Sequence, residues 1–285
     1  MDEVRRKIIA ASVTTVAASA VNGASMATSS GPIRTGAARV EQMPVIWALP
    51  ERVERHSRLV IWLAPGLARM EAVLPVLERL ALDGYIAVSF DSWERGSRAT
   101  ENPATLMPRV WANWPLVAWP MHGNGALEVL RVVDWAAKEF AVSPPFAVGG
   151  NSLGGDIAVA AAGLDRRIGC VAVTVATPDW KRPGMRVDGA LVAPGEPDAY
   201  ANYFYNLINP LTNLRSYSHR PAITFECGAD DDHVPADGAI RFQSALADVY
   251  GEMKARVRVN LHPGVGHSTV PAMMANCVAW LREHG

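Results

Sequence analysis

The stretch that most restricts the fold runs from Phe146 to Gly163. Phe146-Ala147-Val148-Gly149 is a short apolar run, Gly150-Asn151-Ser152-Leu153-Gly154 follows it, and an Ala/Val-rich run begins at Ile157. Together they predict strand, sharp turn and helix. The turn matches G-x-S-x-G, the pattern of a nucleophile elbow. Its spacing has a physical reason. A serine on so tight a turn sits in strained φ/ψ, and glycines two before and two after keep neighbouring side chains clear. The hydroxyl is then held out at the top of the sheet. The N–H of Leu153, opening the helix, can serve an oxyanion.

Other elements alternate in the same way. Leu59-Val60-Ile61-Trp62-Leu63-Ala64 is a continuous apolar run, as for a strand buried on both faces, and it stops at Pro65-Gly66. From Met70, residues Val73, Leu74, Leu77, Leu80 and Ala81 recur at helical spacing before Gly84. Tyr85 to Phe90, Gly169 to Ala176, Ala222 to Cys227 and Val257 to Leu261 read as strands. Gly125 to Phe140, Asp237 to Tyr250 and Pro271 to His284 read as helices, and Val40 to Leu49 as an early edge strand. This alternation predicts one α/β domain over 40–285, with a mainly parallel central sheet and helices on both faces. Ligands then bind at the carboxyl ends of the strands. Two stretches break the pattern. Residues 92–122 hold Trp93, Trp111, Trp114 and Trp119 with Pro103, Pro108, Pro115 and Pro120; residues 177–210 hold Trp180, Tyr200, Tyr203, Phe204 and Tyr205. They read as irregular, cap-like insertions over the site, offering an apolar acyl or alcohol pocket.

Composition narrows the partners. The formal net charge is −1 and 49% of the 285 residues are hydrophobic, which argues a globular chain with no basic patch for nucleic acid. Cys170, Cys227 and Cys277 lie far apart in apolar runs, with no metal spacing, and read as buried, reduced thiols. Neither a P-loop nor a dinucleotide G-x-G-x-x-G is present, and no cofactor is implied. Residues 1–39 read as a leader, either a signal peptide or a disordered or helical extension, in which Arg5-Arg6-Lys7 precedes a mild apolar run from Ile8 to Val21 with Ala18-Ser19-Ala20 inside it. That is the layout of a secretory signal, so the protein is either exported or, without cleavage there, cytoplasmic. The run is too short and polar to span a membrane.

A serine hydroxyl needs a base, usually a histidine oriented by a carboxylate. Two loops follow strands late in the chain, Gly228-Ala229-Asp230-Asp231-Asp232-His233-Val234-Pro235 and His262-Pro263-Gly264-Val265-Gly266-His267-Ser268. His267 stands in the Gly-rich loop beyond the strand end and is the candidate base; His262, nearer the strand, reads as structural. Asp230, Asp231 and Asp232 are adjacent, and spacing alone leaves the acid open among them.

These residues, with Gly66 and Asp91 to Gly96, resemble an α/β-hydrolase of the dienelactone hydrolase/prolyl-oligopeptidase-like group of esterases. The resemblance runs from Val45 to the end of the chain. The group's acid loop is similar to G-x-x-D-x-x-V-P, which lays the acid on Asp231, with Asp230 as the other choice. The resemblance implies an α/β-hydrolase fold, a Ser152, Asp231 and His267 triad, and backbone N–H groups of Leu67 and Leu153 as the oxyanion hole. It implies cleavage of a small-molecule carboxylic ester, thioester or lactone through an acyl-enzyme, with no cofactor or metal. Two departures stand out: Pro65-Gly66 replaces the group's usual His-Gly, and a serine replaces the cysteine of dienelactone hydrolases proper. The same triad suits a peptidase or acyltransferase, and a hydrolase-fold binding protein without catalysis is the reading of another class. Arg95, Arg98 and Arg109 suit either a substrate carboxylate or solvent.

Overall fold

Short β-branched and apolar runs form the strands, and longer runs with helical spacing fill the intervals between them. The computed structural model describes residues 26–29, 33–54 and 56–285. Among these are eleven strands: β1 (Met26–Ser29), β2 (Ile33–Val40), β3 (Met43–Pro50), β4 (Arg58–Leu63), β5 (Tyr85–Phe90), β6 (Phe146–Asn151), β7 (Ile168–Thr174), β8 (Arg186–Val187), β9 (Ala190–Leu191), β10 (Ala222–Gly228) and β11 (Val257–His262). The α-helices among them are α1 (Leu74–Leu82), α2 (Pro103–Ala112), α3 (Trp114–Glu139), α4 (Leu153–Leu164), α5 (Ala199–Ile208), α6 (Asp237–Tyr250) and α7 (Pro271–His284).

Nine strands make one sheet in the order β1-β2-β3-β5-β4-β6-β7-β10-β11. All neighbours from β5 to β11 are parallel, whereas β1, β2 and β3 run antiparallel to theirs. Side chains alternate across the sheet and divide the core in two. Ile61, Val148, Val173 and Phe225 pack with Val129, Ile157 and Phe242 of α3, α4 and α6. Val60, Trp62, Ala147, Cys170 and Ala172 pack with Leu77, Leu80, Cys277 and Leu281 of α1 and α7. The result is an α/β-hydrolase fold.

Three features differ from the sequence reading. The strand expected at Val40 to Leu49 is not an edge: β2 pairs with β3 along its length, and β1 pairs with β2. The boundary expected at residue 40 therefore falls inside a hairpin. The mixed, half-exposed β2 sequence, Ile33-Arg34-Thr35-Gly36-Ala37-Ala38-Arg39-Val40, carries no clean period to announce a strand. The secretory-signal residues, Arg5 to Ala20, lie outside the described residues.

Secondly, much of 92–122 is helical. Asn102 Oδ1 accepts from Ala104 N at 2.8 Å and Asn113 Oδ1 from Leu116 N at 3.3 Å, so both α2 and α3 are capped. Pro103 and Pro115 sit in first turns, where a missing N–H costs nothing. Tertiary packing explains why α3 runs on through Pro120, Gly123 and Gly125. A Cβ on Gly123 would lie 2.0 Å from the Phe204 ring, and one on Gly125 2.8 Å from Ile157. Thirdly, 177–210 contains the β8–β9 hairpin and α5, which Asp198 caps through Ala201 N at 2.8 Å. No helix among the described residues is long and apolar enough to cross a membrane. The three cysteines are free and buried.

Candidate active site

Ser152 occupies the turn between β6 and α4 at φ 51°, ψ −124°, a region that costs a side-chain-bearing residue energy. Its flanking glycines are required by close backbone approach. A Cβ on Gly150 would stand 2.6 Å from the Gly154 carbonyl carbon, and one on Gly154 2.5 Å from Ala64 O. The elbow is thus wedged against the end of β4. Asn151 adds ties: its Oδ1 accepts from Trp62 Nε1 at 2.9 Å, and its Nδ2 donates to Thr174 Oγ1 at 2.8 Å and Thr269 Oγ1 at 3.1 Å.

The structure brings Ser152, His267 and Asp231 together. Ser152 Oγ lies 2.9 Å from His267 Nε2, and His267 Nδ1 lies 2.8 Å from Asp231 Oδ2. A carboxylate only accepts, so Nδ1 carries the proton and Nε2 is left to accept from the serine hydroxyl. Asp231 is buried, and its Oδ1 accepts from His233 N at 3.0 Å and Val234 N at 2.8 Å. Asp230 and Asp232 are exposed. The two loops carrying His267 and Asp231 are laced together: Ala229 N donates to His262 O at 3.0 Å and Asp230 N to Val265 O at 2.9 Å. His262 Nε2 instead meets buried Glu226 Oε2 at 2.7 Å, where Asn276 Nδ2 also donates at 2.8 Å.

Above Ser152 lies a cavity of about 260 Å³. Leu67 and Leu153, the residues expected to supply oxyanion donors, line it beside Ser152 and His267. Val110, Trp111 and Trp114 of α2 and α3 form its apolar wall, and Arg182 and His233 are its other polar residues. Trp111 and Trp114 stack at 5.8 Å. Trp114 Nε1 and Trp119 Nε1 both donate to Trp180 O, at 2.7 and 3.0 Å, which ties the two insertions to each other. Beneath them Asp156, fully buried in the first turn of α4, accepts from Arg182, from His122 Nε2 at 3.0 Å and from Thr177 N at 2.7 Å. Burial alone would raise the Asp156 carboxyl, but Arg182, His122 and the Thr177 N–H outweigh it and hold it below the usual range. The His233 ring stands 4.6 Å from that of His267, and burial, with Arg182 and His267 beside it, pushes His233 down to about 4.

The sequence missed the tying role of Asn151 and the Asp156 cluster, which no motif spacing marks. Of the three arginines left open, Arg98 pairs with Glu128 at 2.8 Å and Arg109 with Glu101, while Arg95 is buried. No group of three or more His, Cys, Asp or Glu among the described residues is placed to hold a metal ion.

The sequence profile of the prolyl oligopeptidase family matches residues 120–284. Esterase YjfP of Escherichia coli is 28% identical over 211 residues, covering 72% of this chain and 80% of that protein. The crystal structure of TT1662 from Thermus thermophilus superposes with a TM-score of 0.69 at 22% identity, covering 88% of this chain and 97% of the other. A prolyl endopeptidase structure aligns at TM-score 0.63 and 15% identity, covering 87% of this chain but 37% of its own.

Proposed function

The chain belongs to the prolyl oligopeptidase family, and on that footing we propose that it is a serine carboxylesterase working through an acyl-enzyme. The observation that carries this reading is the unbroken hydrogen-bond chain from Asp231 through His267 to Ser152, opening on a compact apolar cavity. His267 takes the Ser152 proton as Oγ attacks the acyl carbonyl. The N–H groups of Leu67 and Leu153 hold the tetrahedral oxyanion. Asp231 keeps His267 in the tautomer that accepts at Nε2 and stabilises the imidazolium that forms. His267 protonates the departing alcohol and then activates the water that releases the acid. The similarity to an esterase over most of its length favours an ester, and the cavity walled by Val110, Trp111 and Trp114 favours a short or medium acyl group.

The test is a panel of p-nitrophenyl esters of rising acyl length, with peptide p-nitroanilides alongside, run on wild type and Ser152→Ala. Wild type should turn over the shorter esters fastest, and the variant should lose roughly 10⁶-fold in kcat, the scale seen when a triad nucleophile is removed. Faster turnover of the anilides would move the reading to a peptidase on the same residues. No turnover of any substrate, together with no labelling of Ser152 by a fluorophosphonate, would overturn it in favour of a binding protein.

A further inference from the structure

The charged group nearest the oxyanion loop takes no part in the mechanism above. Arg95 is 3% exposed. Its Nε donates to Gly66 O at 2.6 Å, its Nη2 donates to Ala64 O, and its Nη1 donates to Ser92 Oγ at 3.2 Å. Among the described residues no carboxylate lies within 4.0 Å of this guanidinium. Burying an unpaired charge is costly, so the surroundings must be built to hold it. They are. Asp91 accepts from Met70 N, Ser97 N and Ser97 Oγ, each at 2.7 Å, which binds the loop after β5 to the loop after β4. Gly96, at φ +57°, passes so close that a Cβ there would fall 2.1 Å from Asp91 Oδ1. The turn that presents Arg95 therefore depends on that glycine.

From this we propose that Arg95 is a positioning residue for the oxyanion hole, holding the Ala64 and Gly66 carbonyls so that the Leu67 N–H faces the reacting carbonyl. The inference rests on the esterase reading above. In a planar trans peptide the C=O and the following N–H point opposite ways. Arg95 fixes the Gly66 carbonyl on the buried side, so the Leu67 N–H points to the other side, where Leu67 lines the cavity with Ser152. Pro65 has no N–H and Ala68 N donates to Pro65 O at 3.0 Å, which leaves the N–H groups of Gly66 and Leu67 as the other donors of this turn. Gly66 adopts φ +44°, which lets that peptide turn over without a side-chain penalty. A charged donor on the carbonyl also polarises the amide and makes its N–H a stronger donor. Burial lowers the Arg95 guanidinium to about 10, still well above neutral pH, so the charge is retained. Gly154 packs against the same Ala64 carbonyl, where a Cβ would lie 2.5 Å from its oxygen.

A donor that matters only when the oxyanion forms changes kcat and leaves substrate binding alone. The experiment compares Arg95→Met, Arg95→Lys and the milder Ser92→Ala with wild type in the full chain. Each is assayed on the best ester and titrated with a trifluoromethyl ketone and its methyl ketone counterpart. Ser152 Oγ adds to the carbonyl carbon of the fluorinated ketone, the serine proton passes to His267 Nε2, and the carbonyl π pair moves onto oxygen as an oxyanion in the hole; the methyl ketone binds without forming it to any extent. Arg95→Met should lose about 10- to 100-fold in kcat, somewhat less than deleting an oxyanion donor outright, with KM within about twofold. Arg95→Lys should recover part of the loss and Ser92→Ala should show a smaller one. Across the set, affinity for the fluorinated ketone should fall in step with kcat/KM while the methyl ketone stays constant. Equal losses for both ketones, a rise in KM alone, or unchanged kcat in a folded Arg95→Met or Ser92→Ala variant overturns the proposal. A wild type that cleaves no ester and forms no adduct overturns the esterase reading, and this inference with it.

Discussion

At Gly154 a single methyl group has nowhere to go, because Ala64 O and Leu63 O lie 2.5 and 2.6 Å from where it would stand. Both are backbone atoms and cannot rotate aside. Gly154→Ala should therefore cost about 1–3 kcal/mol of stability, the usual range for overpacking, and should also displace the loop that carries Leu67. Thermal unfolding read beside ester turnover checks both effects. Asp231→Asn keeps the shape but offers His267 the wrong partner, so kcat should drop roughly 10⁴-fold while the fold is kept. Asp230→Asn, on an exposed side chain, should change little. Ser152 and His267 were legible because each sits at a strand end in a glycine-rich turn, where residue type and chain order coincide. Asp231 was legible only through a family pattern, since three adjacent aspartates look alike in one dimension. What separates them is that one turns inward to two backbone N–H groups. Arg95 left no such mark. Two of its three partners are main-chain carbonyls, and any residue type supplies a carbonyl.

The elements that periodicity revealed are those whose burial is one-sided or continuous, such as β4, α1 and α6. The first half of α3, ahead of the helix read from Gly125, escaped because its proline- and glycine-bearing turns are stabilised from outside, by Phe204 over Gly123. Strand β2 escaped because its pairing with β3 is carried by the backbone, with little apolar patterning to announce it. The cap made by α2 and α3 also sets the size of the cavity. Trp111 stands in its wall, stacked on Trp114, and its edge meets His233 at 5.2 Å between ring centroids. Trp111→Ala should move the acyl-length optimum of the p-nitrophenyl series upward while leaving the triad intact. An optimum that stays put would place the acyl group elsewhere.

Across the whole molecule, acid should weaken the fold before the carboxylates titrate. Burial, with Arg182 and His267 close by, takes His233 down to about 4, and burial lowers His219 as well. In the unfolded chain both regain a value of about 6.5, so the unfolded state binds the proton first as pH falls. The stability these groups contribute is thus complete above about pH 6.5 and declines toward pH 4. Glu128, which burial raises, opposes this in part. The melting temperature should be level from pH 8 to 7 and fall below 6.5, and His233→Gln should flatten that fall; a melting temperature that climbs on acidification would contradict it. The thiols offer a different view of the same molecule. Cys170 and Cys277 lie in the layer under α1 and α7, and Cys227 lies in the opposite layer. Burial pushes Cys170 and Cys227 up to about 12 and raises Cys277 well above the ordinary thiol value, so none presents a thiolate while the layers stay closed. Each becomes a clock for the opening of its own side. If a maleimide marks Cys227 and Cys277 at one common rate, the two halves of the interior come apart in a single event; if the rates differ, one side breathes while the other holds.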